Sequence, residues 1–401
     1  MGRGFSAVLL LVASAAAALE PAFVARSPIV NVDGVNCCDT FDTRASMAAD
    51  GSFVVFWINE NQLQARRFTS AGAPLGAELE PGVDWVSALA GRPGGGVLAV
   101  GQDSGGLGVW SFDAQGAGGR IVDFGPQPTA SSFSIANGAA GDFLVGFATG
   151  SSPNRELRLH HFDGAGQPLT PVRTVATQQQ GYVFGASAVS AAPDGQVQVV
   201  WEHEMHNGLT GSGDGLYRRR YDAAGQPNGG IEPLLTNAYM QETRMTAGPD
   251  GRVVVAFNSV DGLPFIGGLV ADARGPVTPQ LQLWREEWLI PVVPSAGFLE
   301  GGDIAVAADG WLLDEWTTIN LMRTRADGQP AGPRIQVMPS IPDIDYVFPA
   351  IASNGDLVAV VWAPRTSSPT GFGPIAFQVF DATLFADSFE TGGTGNWTVV
   401  E

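Results

Sequence analysis

The sequence predicts an all-β protein, a seven-bladed β-propeller with four-stranded antiparallel blades. Three observations lead to this fold class: the composition, a motif that recurs seven times, and a strand-like segment near the N-terminus outside the repeats. Of 401 residues, 53 are Gly, 27 are Pro and 45% are hydrophobic. Gly and Pro favour tight turns, whereas Val, Phe and Trp favour strands. Beyond the extreme N-terminus, no window shows a sustained helical period of apolar residues.

The first element, residues 1–18 (MGRGFSAVLLLVASAAAA), has one Arg, an apolar core and a run of alanines. This pattern is typical of a secretory signal peptide, with cleavage near Ala18. The alternative, a membrane anchor, would need about 20 apolar residues. No later segment is long and apolar enough to span a bilayer after signal cleavage. The sequence therefore predicts a secreted or periplasmic protein.

The formal net charge is −19, and all 21 basic residues are Arg. This balance disfavours nucleic acids and anionic lipid surfaces as partners. Because the chain has no Lys, Schiff-base chemistry is excluded. We expect a monomer whose partner is a glycan or another protein.

The N-terminal segment, residues 19–44, contains the only two cysteines, Cys37 and Cys38. Because they are adjacent, they cannot join distant parts of the chain. In an oxidising compartment they would form a strained vicinal disulfide, pair with another chain, or stay free.

Residues 45–385 carry the recurring motif of the propeller. Each copy has a small-residue strand, a Gly turn that is usually Asp-Gly, and an apolar strand that usually ends in an aromatic residue, as in ASMAADGSFVVFW (45–57). Asp-Gly supplies the positive φ that a tight hairpin requires. The seven turn glycines, 44 to 59 residues apart, are Gly51, Gly95, Gly141, Gly195, Gly251, Gly310 and Gly355.

A second turn recurs downstream of the first, as in FDGAGQPLT (162–170). Near-copies occur at 68–76, 112–118, 221–229 and 326–332. This turn joins a third strand, such as 157–162, to a fourth, such as 169–177. Asp bonds to the backbone of the turn and Gly takes its left-handed position. Four-stranded units that repeat at this period indicate a β-propeller.

The closing element is residues 27–32 (SPIVNV), which resemble the fourth strands of the repeats. The seventh repeat stops near residue 385 without a clear fourth strand of its own. We therefore predict that residues 27–32 complete the last blade and lock the ring. The alternative, a linear solenoid, would need polar caps at both ends.

Residues 27–385 resemble repeats of secreted bacterial β-propeller proteins with the pattern A-x-x-x-D-G-x-F-V-V-x-W … R-F-D-x-x-G-x-P. The resemblance implies the fold, and it implies no catalytic residue because functions in such families vary. Residues 386–401 form a C-terminal tail. Together with residue 385 they resemble a short F-x-D-x-F-E-x-G … W ending of secreted proteobacterial proteins. The tail is a flexible terminus or a sorting or attachment signal.

The variable connections of the repeat indicate the working face. The turns between first and second strands and between third and fourth strands are short and uniform. The other connections, including residues 202–215 and 281–302, vary widely. Since function tends to lie on variable loops held by a rigid scaffold, we expect the site there.

A first candidate on this face is a metal site formed by His203, Glu204 and His206. Imidazole and carboxylate groups suit Zn²⁺ or similar ions. The spacing differs from the helical H-E-x-x-H pattern, and no helix is expected there. The alternative is a polar loop without a metal, and the sequence calls for no other cofactor.

A second candidate is a carboxylate pair, Asp314 and Glu315, in the sixth repeat. The repeat alignment places both at apolar positions of a central strand, where burial would raise their pKa and create a general acid. The alternative is a salt bridge to Arg323 or Arg325, or a side chain that reaches the solvated channel.

A third candidate is a rim of aromatic residues in the crossings between blades, whose rings would stack on sugars or hold apolar peptide segments. The candidates for ligand binding are Trp85, Tyr182, Tyr239, Trp284, Trp288 and Tyr346. Aromatic residues near strand ends also seal gaps between blades, which is the alternative interpretation. The strand-end aromatics recur so regularly that we assign them to the core: Trp57, Phe147, Trp201, Phe257, Trp316 and Trp362.

The sequence lacks a sialidase box, a D-x-D-x-D-G calcium loop, a G-x-S-x-G elbow and a Walker loop. It therefore favours a binding or scaffold protein that recognises a glycan or protein partner on the variable-loop face. The alternatives are a carbohydrate-active hydrolase or lyase that uses pocket carboxylates, and a structural cell-surface protein without a small ligand.

Overall fold

The computed structural model describes residues 23–32, 43–59, 62–79, 82–92, 96–127, 129–152, 154–178, 182–205, 215–236, 240–248, 250–259, 265–275, 277–284, 289–312, 318–338, 344–366 and 375–382. These residues form 28 strands in seven antiparallel sheets, together with one 3-10 turn at Glu300–Gly302. The fold is the predicted seven-bladed β-propeller. No helix of the described residues is long and apolar enough to cross a membrane.

The blades follow each other along the chain, and each sheet is ordered as its strands occur in sequence. Blade 1 has Arg44–Met47, Phe53–Asn59 and Gln62–Phe68. Blade 2 has Trp85–Gly91, Val97–Asp103, Gly106–Phe112 and Gly118–Gly125. Blade 3 has Ser131–Asn137, Phe143–Thr149, Glu156–Phe162 and Arg173–Thr177. Blade 4 has Tyr182–Ala191, Val197–Met205, Gly215–Tyr221 and Glu232–Thr236.

The remaining blades continue this order. Blade 5 has Met240–Ala247, Arg252–Ser259, Phe265–Asp272 and Leu281–Trp284. Blade 6 has Leu289–Phe298, Ile304–Leu312, Thr318–Thr324 and Ile335–Met338. Blade 7 has Ile344–Ser353, Leu357–Thr366 and Ala376–Asp381, joined by Val24–Ala25 and Val30–Asn31. In blade 1 the described part of the fourth strand is a bridge between Ala65 and Leu79.

The recurring turns have the chemistry that the sequence predicts. In the turn after the third strand of blade 3, the Asp163 carboxylate accepts hydrogen bonds from the backbone N–H groups of Ala165 (2.9 Å) and Gln167 (2.8 Å). Gly166 lies between them with φ +84°. Positive φ also occurs at five of the predicted hairpin glycines, Gly51, Gly141, Gly195, Gly251 and Gly355. Gly95 lies outside the described residues.

The hairpin of blade 6 differs from the prediction. Gly310 lies inside the second strand, where it pairs with Pro291 and Thr318. The chain turns instead at residues 299–303, where Gly301 and Gly302 have φ +73° and +92°. Residues 299–303 and residues 309–310 both offer Gly beside polar residues. Local turn chemistry therefore does not predict which of the two forms the hairpin. The register that forms buries the run Ile304–Ala308 as a central strand.

The core is divided among the seams between blades. Each of the seven seams holds one cluster of buried apolar side chains, including the seam between blades 7 and 1. First strands of neighbouring blades contact each other around the whole ring. A linear solenoid of seven sheets would have only six seams, so the solenoid alternative is wrong.

The N-terminal segment closes the ring, as predicted. Val30 pairs with Phe377 in the third strand of blade 7, and the Val32 N–H donates to the Ile375 carbonyl at 2.8 Å. The contact begins earlier than residue 27, because Val24 pairs with Asp381. Between the two short strands, the Ser27 hydroxyl accepts a hydrogen bond from the Val379 N–H at 3.0 Å.

Candidate binding site on the variable-loop face

The antiparallel order of the blades defines two faces. Connections between second and third strands and crossings between blades lie on one face, which we call the variable-loop face; the remaining hairpin turns lie on the other, the short-turn face. Six first strands contain a one-residue β-bulge near the variable-loop face. The bulges lie between Val86 and Ala88, Ser131 and Ser134, Phe184 and Ser187, Gln241 and Arg244, Pro291 and Pro294, and Val347 and Ala350.

Two bulges hold a non-glycine residue at positive φ, Ser132 (+55°) and Glu242 (+50°). Such conformations cost about 1–3 kcal/mol and persist only where the surroundings fix them. The Ser132 hydroxyl donates to the Phe184 carbonyl at 2.8 Å, and the Ser187 hydroxyl donates to the Ser132 carbonyl at 2.6 Å. The bulges of blades 3 and 4 therefore hold each other in place.

A groove whose surface is mainly apolar opens on the variable-loop face between blades 3 and 4. We call it the 3–4 groove. Its lining comes from the loop after the second strand of blade 3 and from the crossings on both sides of that blade. The lining residues are Thr129, Gly150, Ser151, Ser152, Arg155, Gln178, Tyr182 and Val183.

Hydrogen bonds fix the polar groups of this groove. The Gln178 side-chain amide donates to the Tyr182 carbonyl and to the Ser152 hydroxyl, the latter at 3.5 Å. The Arg155 guanidinium donates to the Thr129 carbonyl. Within the described part of the chain, Gln178 Oε1 and Arg155 Nε are buried without a hydrogen-bond partner. Buried polar atoms are normally paired, so these two atoms would gain a hydrogen bond from a ligand or water that reached them.

Tyr182 is a lining residue of the groove, and its ring packs on a second aromatic side chain. Its ring centroid lies 4.8 Å from that of His203, which in turn stacks on Phe184 at 5.5 Å. His203 is buried, and this burial lowers the pKa of its imidazole. The imidazole is therefore neutral near pH 7 and serves as packing beneath the tyrosine.

A pair of carboxyl groups lies on the opposite side of the same strand. Glu202 is buried, accepts a hydrogen bond from the Thr243 hydroxyl at 2.7 Å, and lies opposite the bulge of its own blade. Glu202 and Glu204 share one face of the strand, and a Cβ added to Gly185 would meet both carboxyl groups. Burial, together with the charge of Glu204, raises the pKa of Glu202 to about 8.

The predicted metal ligands do not share one side of the strand. The second strand of blade 4 extends to Met205, and side chains alternate along a strand, so His203 faces blade 3 while Glu204 faces blade 5. His206 lies outside the described residues. Among the residues that the structure describes, no group of three His, Cys, Asp or Glu side chains is placed to hold a metal ion.

The predicted aromatic rim is distributed over several blades. Trp85 begins blade 2 and is 45% exposed, and Tyr182 is half-buried in the 3–4 groove. Trp284 ends the fourth strand of blade 5, and Tyr346 lies in the first strand of blade 7. Tyr239 and Trp288 lie outside the described residues. Among the described residues of this set, Tyr182 is the one that lines the 3–4 groove.

The remaining predicted residues fall outside the described ranges: Asp314, Glu315, Cys37 and Cys38. The described part of the second strand of blade 6 reaches Leu312, and the carboxylate pair Asp314 and Glu315 stays a prediction. The strand-end aromatics belong to the core as predicted for Trp57, Phe147, Trp201, Phe257 and Trp362, all buried; Trp316 is not described.

The residues predicted from the sequence do not include Arg155, Gln178 and Glu202. The first two lie in connections whose composition resembles that of other loops, and only the packing of two blades brings them together. Glu202 has a usable signal, because VVWEHE places two acids two residues apart at the end of an apolar strand. That period puts both carboxyl groups on one face.

Comparison with known proteins concerns the fold. No protein-family model matches the chain, and no curated protein matches it. An ulvan lyase described as a new family of polysaccharide lyase matches with a TM-score of 0.56 and 8% identity, over 84% of this chain and 93% of that one. A second structure of that lyase, bound to -[GlcA(1-4)Rha3S]-, matches equally. The polysaccharide lyase Uly1 matches with a TM-score of 0.51 and 9% identity, over 88% and 92% of the two chains. At these identities the likeness establishes that the chain shares their propeller fold.

Proposed function

We propose that this protein is a secreted or periplasmic binding protein that holds a glycan in the 3–4 groove of its variable-loop face. The observation that carries the proposal is the juxtaposition of the Tyr182 ring with two buried, unpartnered polar atoms, Gln178 Oε1 and Arg155 Nε. Export rests on the signal-peptide pattern of residues 1–18.

The chemistry of the groove suits a sugar. A pyranose presents C–H groups on one face, which pack on an aromatic ring, and hydroxyl groups around its edge. Gln178 Oε1 accepts a hydrogen bond from such a hydroxyl, whereas Arg155 Nε and the hydroxyls of Ser151, Ser152 and Thr129 supply further polar contacts. Sites of this type combine an apolar surface with a few fixed polar groups.

The comparison adds support for the ligand class. Two proteins with this propeller fold are described as polysaccharide lyases, and one of them is described as bound to an oligosaccharide. The likeness extends to the fold alone, so the residues of the groove carry the argument for a glycan.

Glycan-array binding followed by titration calorimetry tests the proposal. We expect the native protein to retain at least one glycan, and Tyr182→Ala to weaken the affinity roughly two- to twelvefold, because ring stacking contributes about 0.5–1.5 kcal/mol. Gln178→Ala should weaken it as well. Trp85→Ala removes an exposed ring elsewhere on the same face and should leave the affinity unchanged. Binding to no glycan, or equal binding by native protein and Tyr182→Ala, would contradict the proposal.

A second candidate function, a carbohydrate-active hydrolase or lyase, is favoured by Glu202. A carboxyl group whose pKa is raised to about 8 carries its proton at neutral pH, as a general acid must. The array hits would be incubated with the protein and analysed for shortened oligosaccharides. A structural cell-surface role without a small ligand would be favoured if no glycan were retained.

A further inference from the structure

A second polar site lies in the same seam, between blades 3 and 4, but toward the short-turn face. It is centred on Tyr221, the last residue of the third strand of blade 4. The sheet register gives the equivalent residue in every blade. These residues are Phe68, Phe112, Phe162, Tyr221, Ala271, Thr324 and Phe380. Only blade 4 has a phenol where four other blades have a phenylalanine.

Two arginines lie beside this ring. The guanidinium carbons of Arg173 and Arg219 are 5.8 Å and 5.9 Å from the Tyr221 ring centroid. Arg173 begins the fourth strand of blade 3, and Arg219 lies in the third strand of blade 4 on the face that packs against blade 3. Both side chains are half-buried, whereas Tyr221 is almost completely buried. The packing therefore places two positive charges beside one buried aromatic ring.

Donor groups at this place lack acceptors. Among the described residues, the Tyr221 hydroxyl and Arg219 Nε are both buried without a hydrogen-bond partner. One other Arg219 nitrogen donates to the carbonyls of Thr174 (3.3 Å) and Val175 (2.9 Å). A buried donor without an acceptor is unfavourable, so an acceptor that bound at this point would be stabilised by these donors.

Two neighbouring arginines on the same strand have a carboxylate partner. Arg218 and Arg220 point to the other face of the same strand, and each is 2.8 Å from a carboxylate oxygen of Glu232. In the described part of the chain, neither Arg173 nor Arg219 has a carboxylate partner. The nearest acid in sequence, Asp222, is engaged by its own turn and accepts a hydrogen bond from the Gln226 N–H at 2.7 Å.

We propose that Arg173, Arg219 and Tyr221 form a binding site for one oxyanion group. Guanidinium groups match the paired oxygens of carboxylate, sulfate and phosphate, and the phenol hydroxyl supplies a further donor. The group belongs either to a free inorganic anion or to a sugar acid. Because this site and the 3–4 groove are at opposite faces, the inference does not depend on the proposed glycan groove.

Titration calorimetry tests this site with three probes, sodium sulfate, sodium phosphate and sodium glucuronate, in chloride buffer of constant ionic strength. We expect saturable binding of one equivalent of at least one probe. Arg173→Gln and Arg219→Gln should each weaken it tenfold or more, since a hydrogen bond to a charged group contributes about 1.5–3 kcal/mol. Tyr221→Phe should weaken it about tenfold for the same reason.

Two features of the chain supply controls. Arg220→Gln changes the net charge by the same amount on the other face of the strand and should leave the affinity unchanged. Tyr221→Phe introduces the residue that four other blades carry, so its fold should persist, which thermal unfolding checks. Binding of sulfate or phosphate alone would identify an inorganic anion as the ligand, and binding of glucuronate would identify a sugar acid. The absence of saturable binding for all three probes would overturn the proposal, as would equal weakening by Arg220→Gln and Arg173→Gln.

Discussion

Glu202 places a carboxyl group among apolar residues at the seam between blades 4 and 5. Ionisation there is unfavourable because water is excluded and because Glu204 lies on the same face of the strand. The Thr243 hydroxyl and the Ala186 N–H each donate one hydrogen bond, which offsets part of this cost. The protonated acid is thus the stable form of the folded protein at neutral pH.

This pKa predicts how stability depends on pH. Below pH about 4.5, the ordinary pKa of the group, folded and unfolded chains both hold the proton, and the stabilising contribution is complete. Between 4.5 and about 8 only the folded chain retains it. The free energy of unfolding therefore falls as pH rises, by at most about 1.4 kcal/mol per pH unit, and the contribution is lost above pH 8.

Glu202→Gln should remove this dependence, because the amide cannot ionise and its oxygen still accepts from Thr243. As the pH rises from about 5 to about 8, the free energy of unfolding of Glu202→Gln, measured in urea, should increase relative to that of the native protein. His160, whose burial lowers its pKa to about 4, contributes equally to both proteins and cancels. Glu300→Gln alters an exposed acid and should follow the native curve. Parallel curves for Glu202→Gln and native protein would contradict the assignment.

Hairpins are the elements that the sequence predicts best, because Asp-Gly chemistry is local. The prediction fails in blade 6, where residues 299–303 and 309–310 both offer a Gly turn. The observed register buries Ile304–Ala308 between two neighbouring blades. This burial depends on how the blades pack, so the local sequence pattern does not predict it. The 3–4 groove is unpredictable for the same reason. The repeat indicates its face, but Arg155 and Gln178 meet only after the blades pack.

Two hairpin glycines allow backbone strain to be separated from crowding. Gly141 and Gly251 both have positive φ, at +82° and +88°. A Cβ at Gly141 would meet no atom within 4 Å, whereas at Gly251 it would lie 2.7 Å from the Cα of Ala192 in blade 4. Gly141→Ala should therefore cost about 1–2 kcal/mol from conformation alone.

Gly251→Ala should cost more than Gly141→Ala, because the backbone of Ala192 has to move in addition. Urea unfolding of the two variants measures the difference. Equal losses of stability would contradict this prediction. They would mean that the backbone of Ala192 moves to accommodate the added methyl group at no measurable cost.

The closed ring makes the two ends of the chain depend on each other. Residues 23–32 pair with the outer edge of blade 7, where Phe23 packs in the seam between blades 6 and 7 and Val32 packs in the seam between blades 7 and 1. Phe23 and Val32 are completely buried there, and Arg26 pairs with Asp381 at 2.8 Å. Burial of each apolar side chain contributes about 1.5–3 kcal/mol. Without this segment, the strand Ala376–Asp381 would become an unpaired edge, which invites association with other chains.

A protein that begins at residue 33 should therefore unfold at a lower urea concentration than one that begins at residue 23, the matched control. Its backbone amides at 376–381 should exchange hydrogen faster, because their partners in Val24–Ala25 and Val30–Asn31 are gone. In the full chain, Val32→Asp should act in the same direction, since an unpaired charge would be buried in the seam between blades 7 and 1. Equal unfolding midpoints for the two truncated proteins would show that the ring does not need its N-terminal strand, because the seams with blades 6 and 1 would then hold blade 7 by themselves.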